Sequence, residues 1–309
     1  MKRLLSYMLM FCSALIVLPD PAPAVGPQPA LRDKINSGEV EPPPFLKEID
    51  ENHRKGICVG DSHNAIKSAL SAVRPALAPG SGPQLAPTTI FRALAVLVDF
   101  SDNVKSVNAQ FFDTLLFTAQ SGTVRDYYSE ISYGQLDMVS VNLPSSLGWQ
   151  RAPQTYAYYV NGQNGTGAYP NNSQKLTEDV VDLIDPLVDF SQYDNDGNGT
   201  VDVLVIVHSG SGAEFTGSAN DIWSHKWAIS PRLKDGVTIS DYTVQPEFWI
   251  NPGDMTIGVY AHELGHGFGL PDLYDTDNSS WGLGRWSLMA SGSWNGPTSF
   301  GESPAHPDP

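Results

Sequence analysis

The sequence predicts an α/β (α+β) fold, and three observations carry that expectation. Phe91 to Phe100 (FRALAVLVDF) and Val201 to His208 (VDVLVIVH) are apolar runs rich in β-branched residues, the pattern of buried strands. Stretches with helical spacing alternate with them. The 309 residues also include 28 Gly and 24 Pro, too many punctuating residues for a helical bundle and suited to long connections.

Met1 to Ala24 reads as a secretory signal. Lys2 and Arg3 precede an apolar stretch from Leu4 to Leu18, and Ala22-Pro23-Ala24 forms a small-residue cleavage site. Asp20 and Pro21 cut the apolar run short of the ~20 residues that a membrane span needs, so no stable membrane insertion is expected once the signal is cut. Cys12 leaves with the signal, so Cys58 is the single cysteine of the mature chain and a disulfide scaffold is excluded.

The formal net charge is -16, a balance opposite to that of a nucleic-acid binder. Its distribution marks a boundary. Residues 25–86 hold seven basic and seven acidic side chains, whereas 87–309 hold nine basic and 26 acidic ones. Ala76 to Pro87 (ALAPGSGPQLAP) has the composition of an exposed linker. The expected organisation is therefore signal 1–24, a neutral pro-segment with linker 25–86, and an acidic domain 87–309.

Within the acidic domain, Thr123 to Ser132 has helical spacing and Gln135 to Leu143 alternates like a strand. Gln174 to Val188 is expected to be a helix that Pro186 ends or kinks, and Val201 to His208 to be a central strand. Val237 to Val244 is a more polar strand suited to an edge. Ile257 to Phe268 is the last clear helix, with Asp254 or Thr256 as its cap.

That helix carries His262-Glu263-Leu264-Gly265-His266. Residues four apart share one helical face at about 6 Å, so both imidazoles reach one Zn²⁺ while Glu263 points to its open side. Gly269 is suited to end the helix in a left-handed turn, and Pro271 helps prevent its continuation. The chain then folds back to bring Asp272 to the metal. Asp275 and Glu302 remain alternative carboxylate ligands. Met289, in Ser287 to Gly292, is a candidate Met-turn beneath the site.

The runs HELGHGFGLPDLYD (262–275) and SLMASGSW (287–294) resemble the immune inhibitor A-like secreted bacterial zinc metalloproteases, a family of the metzincin clan. The similarity extends through YYSEISYGQLD (127–137), YDNDGNGTVDVLVIVHSGSGAE (193–214) and IWSHKW (222–227). It implies a metzincin-like zinc-peptidase catalytic domain with a twisted mixed sheet and an active-site helix. Most metzincins have a third histidine where this chain has Asp272; the family resembled has Asp. Carboxylate is an ordinary zinc ligand.

The function expected is a secreted, extracellular zinc endopeptidase acting on protein or peptide substrates. Peptide bonds are cut by a zinc-bound water that Glu263 activates, with Tyr274 either assisting or packing. The family continues beyond a point equivalent to Pro309, which implies a carboxyl-terminally incomplete domain. The rival readings are an inactive calcium-binding surface or adhesion protein on the same fold, and a serine hydrolase. Ser209-Gly210-Ser211-Gly212 lacks the context of a nucleophile elbow.

Asp194, Asp196, Asn198, Thr200 and Asp202 place oxygen-bearing side chains at alternating positions, with Gly199 where an EF-hand-like loop turns. Val205 stands where the closing Glu would be, so the expectation is a structural Ca²⁺ loop feeding a strand, completed by ligands such as Asp189 or Glu214. Cys58 is a candidate latency switch, its thiolate taking the open zinc position until the pro-segment is cut. His208 and His225 are expected to be structural.

Overall fold

The computed structural model describes residues 25–57, 88–275 and 280–308. The signal, Cys58 and the linker lie outside them. The amino-terminal segment contributes three short helices, α1 (Pro29–Asn36), α2 (Pro44–Lys47) and α3 (Ile49–Arg54).

The expected strand from Phe91 to Phe100 is two strands, β1 (Thr89–Arg92) and β2 (Leu94–Asp99). Between them the Ala93 N–H donates to Val139 O, and the two strands join different sheets. Helices α4 (Ala109–Phe117) and α5 (Val124–Ile131) follow; Thr123 caps α5 through Asp126 N–H at 3.1 Å. Strand β3 (Leu136–Val139) is shorter than the alternation of residues 135–143 predicts, and it pairs in parallel with β1.

Helix α6 (Pro144–Leu147), strand β4 (Trp149–Arg151), helix α7 (Tyr156–Val160) and helix α8 (Ser173–Ile184) come next. Asn172 caps α8 by accepting from Lys175 N–H, and α8 ends before Pro186. Strand β5 (Leu204–His208) is buried at every position and central, as expected. After α9 (Ala213–Thr216) come β6 (His225–Lys234), β7 (Val237–Pro246) and α10 (Gly258–Gly267).

The main sheet has the order β4-β2-β5-β7-β6. It is parallel except for the antiparallel β6–β7 pair, and so mixed. The edge assignment for residues 237–244 is therefore corrected: β7 pairs on both sides, and β6 is the edge. Strand β6 carries Pro231 within the register shift between Ala228 and Arg232, a position that an edge strand tolerates.

Each sheet face carries a core. Leu94, Val96, Leu204 and Ile206 face α7 and α8, whereas Ala95, Leu97, Val205 and Val207 face α4, α5 and α10. Helix α10 is buried at all ten positions. The expected caps are corrected as well. Asp254 instead accepts from the N–H groups of Trp249, Ile250 and Asn251, and Thr256 donates to Phe300 O. The helix starts after Ile257 with no side-chain cap, and its Gly258 N–H donates to Gly301 O at 2.9 Å. A buried helix end takes its partners from the tertiary fold.

Candidate active site

One turn of α10 sets the imidazoles of His262 and His266 on the same face, ring centres 4.8 Å apart and nearly perpendicular. Their outer nitrogens are held: His262 Nδ1 is 2.9 Å from Leu288 O, and His266 Nδ1 is 2.8 Å from Leu270 O. A carbonyl only accepts, so this network assigns the proton to each Nδ1 and leaves each Nε2 as a bare lone pair. Those two lone pairs face each other across 3.2 Å.

Gly269 has φ of +84°, the left-handed conformation that ends α10, and Leu270 N–H closes on Gly265 O. The reversal brings Asp272 back under the histidines, with Oδ1 2.9 Å from His262 Nε2 and Oδ2 3.3 Å from His266 Nε2. These are approaches between acceptors, and both Asp272 oxygens lack a hydrogen-bond donor, as does Glu263 Oε2. Among the described residues, His262, His266 and Asp272 are the group whose possible ligand atoms all lie within 4.8 Å. Two lone pairs and a buried carboxylate turned on one point repel unless a cation sits among them. Two nitrogens and one carboxylate suit Zn²⁺.

Glu263 is fully buried, and burial pushes its carboxyl up to about 8, with Asp272's charge adding and His262 opposing. A divalent cation alongside would favour the ionised form. Met289 lies beneath: a Cβ on Gly265 would come within 2.8 Å of its sulfur, so glycine lets the turn close on the helix. Leu273 N–H donates to Met289 O at 2.7 Å, tying the Asp272 segment to the turn.

The alternative carboxylates are elsewhere. Asp275 accepts from Ser280 N–H, and Glu302 from the N–H groups of Thr298 and Phe300. Neither joins the cluster. Ser209 Oγ donates to Asn103 O and Ser211 Oγ to Trp249 O, committing both hydroxyls to backbone.

The amino-terminal segment also meets this site. Val25, wholly buried, donates its backbone N–H to Glu263 Oε1 at 3.2 Å. Its carbonyl accepts from Trp223 Nε1–H, and the Gly26 carbonyl from Trp294 Nε1–H, each at 2.9 Å. Gln28 N–H donates to Glu214 O at 2.8 Å. The Tyr274 ring lies 3.9 Å from where a Gly26 Cβ would be. Farther along, Arg32 donates to Ser280 O at 2.5 Å and lies 4.0 Å over the Trp281 ring. Both tryptophans fall within motifs noted in the sequence, but local spacing carries no sign of partners so remote in the chain.

Glu214, expected as an extra calcium ligand, is buried against Ser224, accepting from its N–H at 3.1 Å and its hydroxyl at 2.6 Å. Its charge adds to the upward push on Glu263. Asp189 turns on Ser191 and Gln192. In the acidic loop, Asp194 accepts from Asn198 and Gly199 N–H, Asp196 from Asn198 N–H, Asn198 from Thr200 N–H and Asp202 from Asn195 N–H. Burial raises the Asp202 carboxyl, with Asp196 and Asp194 adding. His208 and His225 are buried and kept neutral, each pushed down to about 4 by burial.

Paired imidazoles with an adjacent glutamate on one helix, closed by a returning carboxylate, define a metallopeptidase catalytic domain, here on a mixed α/β frame. Residues 88–307 match the family described as immune inhibitor A peptidase M6, catalytic domain, and the chain belongs to that family. It is 32% identical over 220 residues to immune inhibitor A of Bacillus thuringiensis subsp. alesti, an alignment covering 58% of this chain and 30% of that protein. It is 31% identical over 217 residues to the pre-pro-metalloprotease PrtV of Vibrio cholerae, covering 58% and 22%. The chain thus matches less than a third of the length of these curated relatives. Among solved structures, OgpA of Akkermansia muciniphila aligns over 77% of this chain and 62% of its own at 15% identity, with a TM-score of 0.36, too low to establish a shared fold.

Proposed function

We propose that this protein is a secreted zinc endopeptidase of the metzincin type, with His262, His266 and Asp272 holding the metal and Glu263 acting as general base and acid. The observation that carries the reading is the convergence of three buried donor groups without proton partners beside a buried glutamate. Zinc bound there would polarise the peptide carbonyl and acidify a water. The protein's own groups do the rest. Leu288 O and Leu270 O hold the imidazoles in the ligating tautomer. Glu263 takes a proton from the attacking water and delivers it to the departing amine. Its contact with Val25 N–H supports such a reach. Stoichiometric zinc, with chelator-sensitive cleavage of casein, tests the assignment; cleavage that persists after complete zinc removal would overturn it.

Residues 25–86 act in this reading as a pro-segment. The expected signal cut, after Ala24, falls directly before the residue that meets Glu263, and Val25, Gly26 and Gln28 bond to Trp223, Trp294 and Glu214. Release of the segment is then the activating event, with the Cys58 thiolate as a second, separately testable block. The Asp194–Asp202 loop is proposed to bind a structural Ca²⁺ that neutralises its clustered carboxylates.

A further inference from the structure

We infer that the indole N–H groups of Trp223 and Trp294 grip the substrate main chain, binding the carbonyls of the first and second residues beyond the bond to be cut. The inference rests on the peptidase reading above and extends it to the ligand: an extended peptide recognised through its backbone rather than by one side chain.

The register comes from Glu263. A glutamate that protonates the departing amine must lie beside the nitrogen of the first residue after the cut. Val25 N–H occupies that place, 3.2 Å from Oε1. Counting from it, the first carbonyl is that of Val25, bound by Trp223, and the second is that of Gly26, bound by Trp294. Two residues on, Gln28 N–H finds Glu214 O. Backbone donors and acceptors of one run are thus met by fixed groups of the catalytic domain.

Both indoles are held for this task. Trp223 donates its backbone N–H to Asn164 O at 3.1 Å, and its carbonyl lies 2.6 Å from His225 Nδ1. Trp294 packs on Trp249, ring centres 5.0 Å apart, and Trp249 stacks on Phe215. An indole nitrogen can only donate, so each loses its acceptor when Val25 and Gly26 leave. A peptide lying in the same direction restores both bonds at once.

The test is a coupling measurement between protein and peptide. Full chain loaded with zinc and nicked in the 76–87 linker, both pieces present, is titrated calorimetrically with a peptide and with two thioamide analogues. One analogue weakens the first carbonyl beyond the bond as an acceptor, and the other weakens the second. For the parent, each thioamide is expected to weaken affinity about three- to tenfold, the scale of one neutral hydrogen bond. Trp223→Phe should become insensitive to the first thioamide while still responding to the second, and Trp294→Phe should show the reverse. A uniform loss across all peptides in both variants would overturn the inference, as would a parent that binds no peptide or ignores both thioamides. The parent arm stands even if a variant fails to fold. The titration is completed before cleavage products accumulate, and chelator-sensitive cleavage of the same peptides by the parent tests the peptidase reading separately.

Discussion

The backbone N–H of Val25 donates to Glu263 Oε1 across 3.2 Å, joining residues 238 positions apart in sequence. The group proposed to move protons in peptide cleavage therefore already has a chain segment seated on it. Arg32 helps hold that segment through Ser280 O and the Trp281 ring. Replacing Arg32 by Ala is expected to raise casein cleavage by the unprocessed chain, measured before any processed product accumulates. The Cys58 switch predicts the same gain for Cys58→Ser. A Cys58→Ser precursor no more active than the parent removes the thiolate from the account.

Glu263→Gln keeps the shape of the side chain and removes its base. Zinc content should stay at one per chain while casein cleavage falls about 10²- to 10⁴-fold, the usual worth of a general acid–base group. Undiminished cleavage would sink the assignment.

Asp272 is distinguished from its neighbours by where its oxygens point. Asp272→Ala should lower zinc affinity by more than the ~10- to 100-fold typical of losing an outer-shell partner. Asp275→Asn and Glu302→Gln should hold zinc as the parent does, because those carboxylates are spent on Ser280 and on the Thr298–Phe300 turn. Competition against a chelator of known affinity gives the three values.

Burial raises the Glu214 carboxyl from 4.5 to about 7, against the pull of Ser224. Between those values the unfolded chain ionises it and the folded chain keeps it protonated, so its contribution to stability falls as pH rises through that window. The full shift corresponds to about 3 kcal/mol. Glu214→Gln removes this dependence. Its urea midpoint relative to the parent should therefore move in the variant's favour from pH 5 to pH 8; a difference independent of pH would show that Glu214 does not titrate there.

For the Asp194–Asp202 loop, protein stripped with EDTA and refilled with zinc alone should melt at a lower temperature than protein given zinc and calcium. Equal melting temperatures would dismiss the calcium reading.

What the sequence revealed follows the range of the interactions involved. The proximity of His262 and His266 is legible because four residues on a helix is a local distance, and that of Asp272 because Gly269 and Pro271 announce the reversal. Strands β2 and β5 are legible from continuous apolar runs. Strand β6 is not: Ser230, Pro231 and its charged residues disguise a ladder that exists through pairing with β7. The central place of β7 is hidden for the same reason, since a strand's neighbours are a property of the fold. The capping of α10 is not legible, because its first N–H is satisfied by Gly301, 43 residues later. The roles of Trp223 and Trp294 are not legible, because their partners, Val25 and Gly26, lie nearly 200 or more residues upstream.

The partners of α10 also fix an order in time. His262, His266 and Asp272 all precede Leu288 in the chain, yet Leu288 O turns the His262 ring. Gly301 and Phe300, later still, receive the groups that begin the helix. At usual synthesis rates, residues 273–301 take roughly 1.5 to 6 s to be made. For that interval a growing chain carries every proposed metal ligand and Glu263 without the carbonyls that aim His262 and seat the helix. Assembly of the proposed hydrolytic geometry thus waits for residues that follow it in the chain.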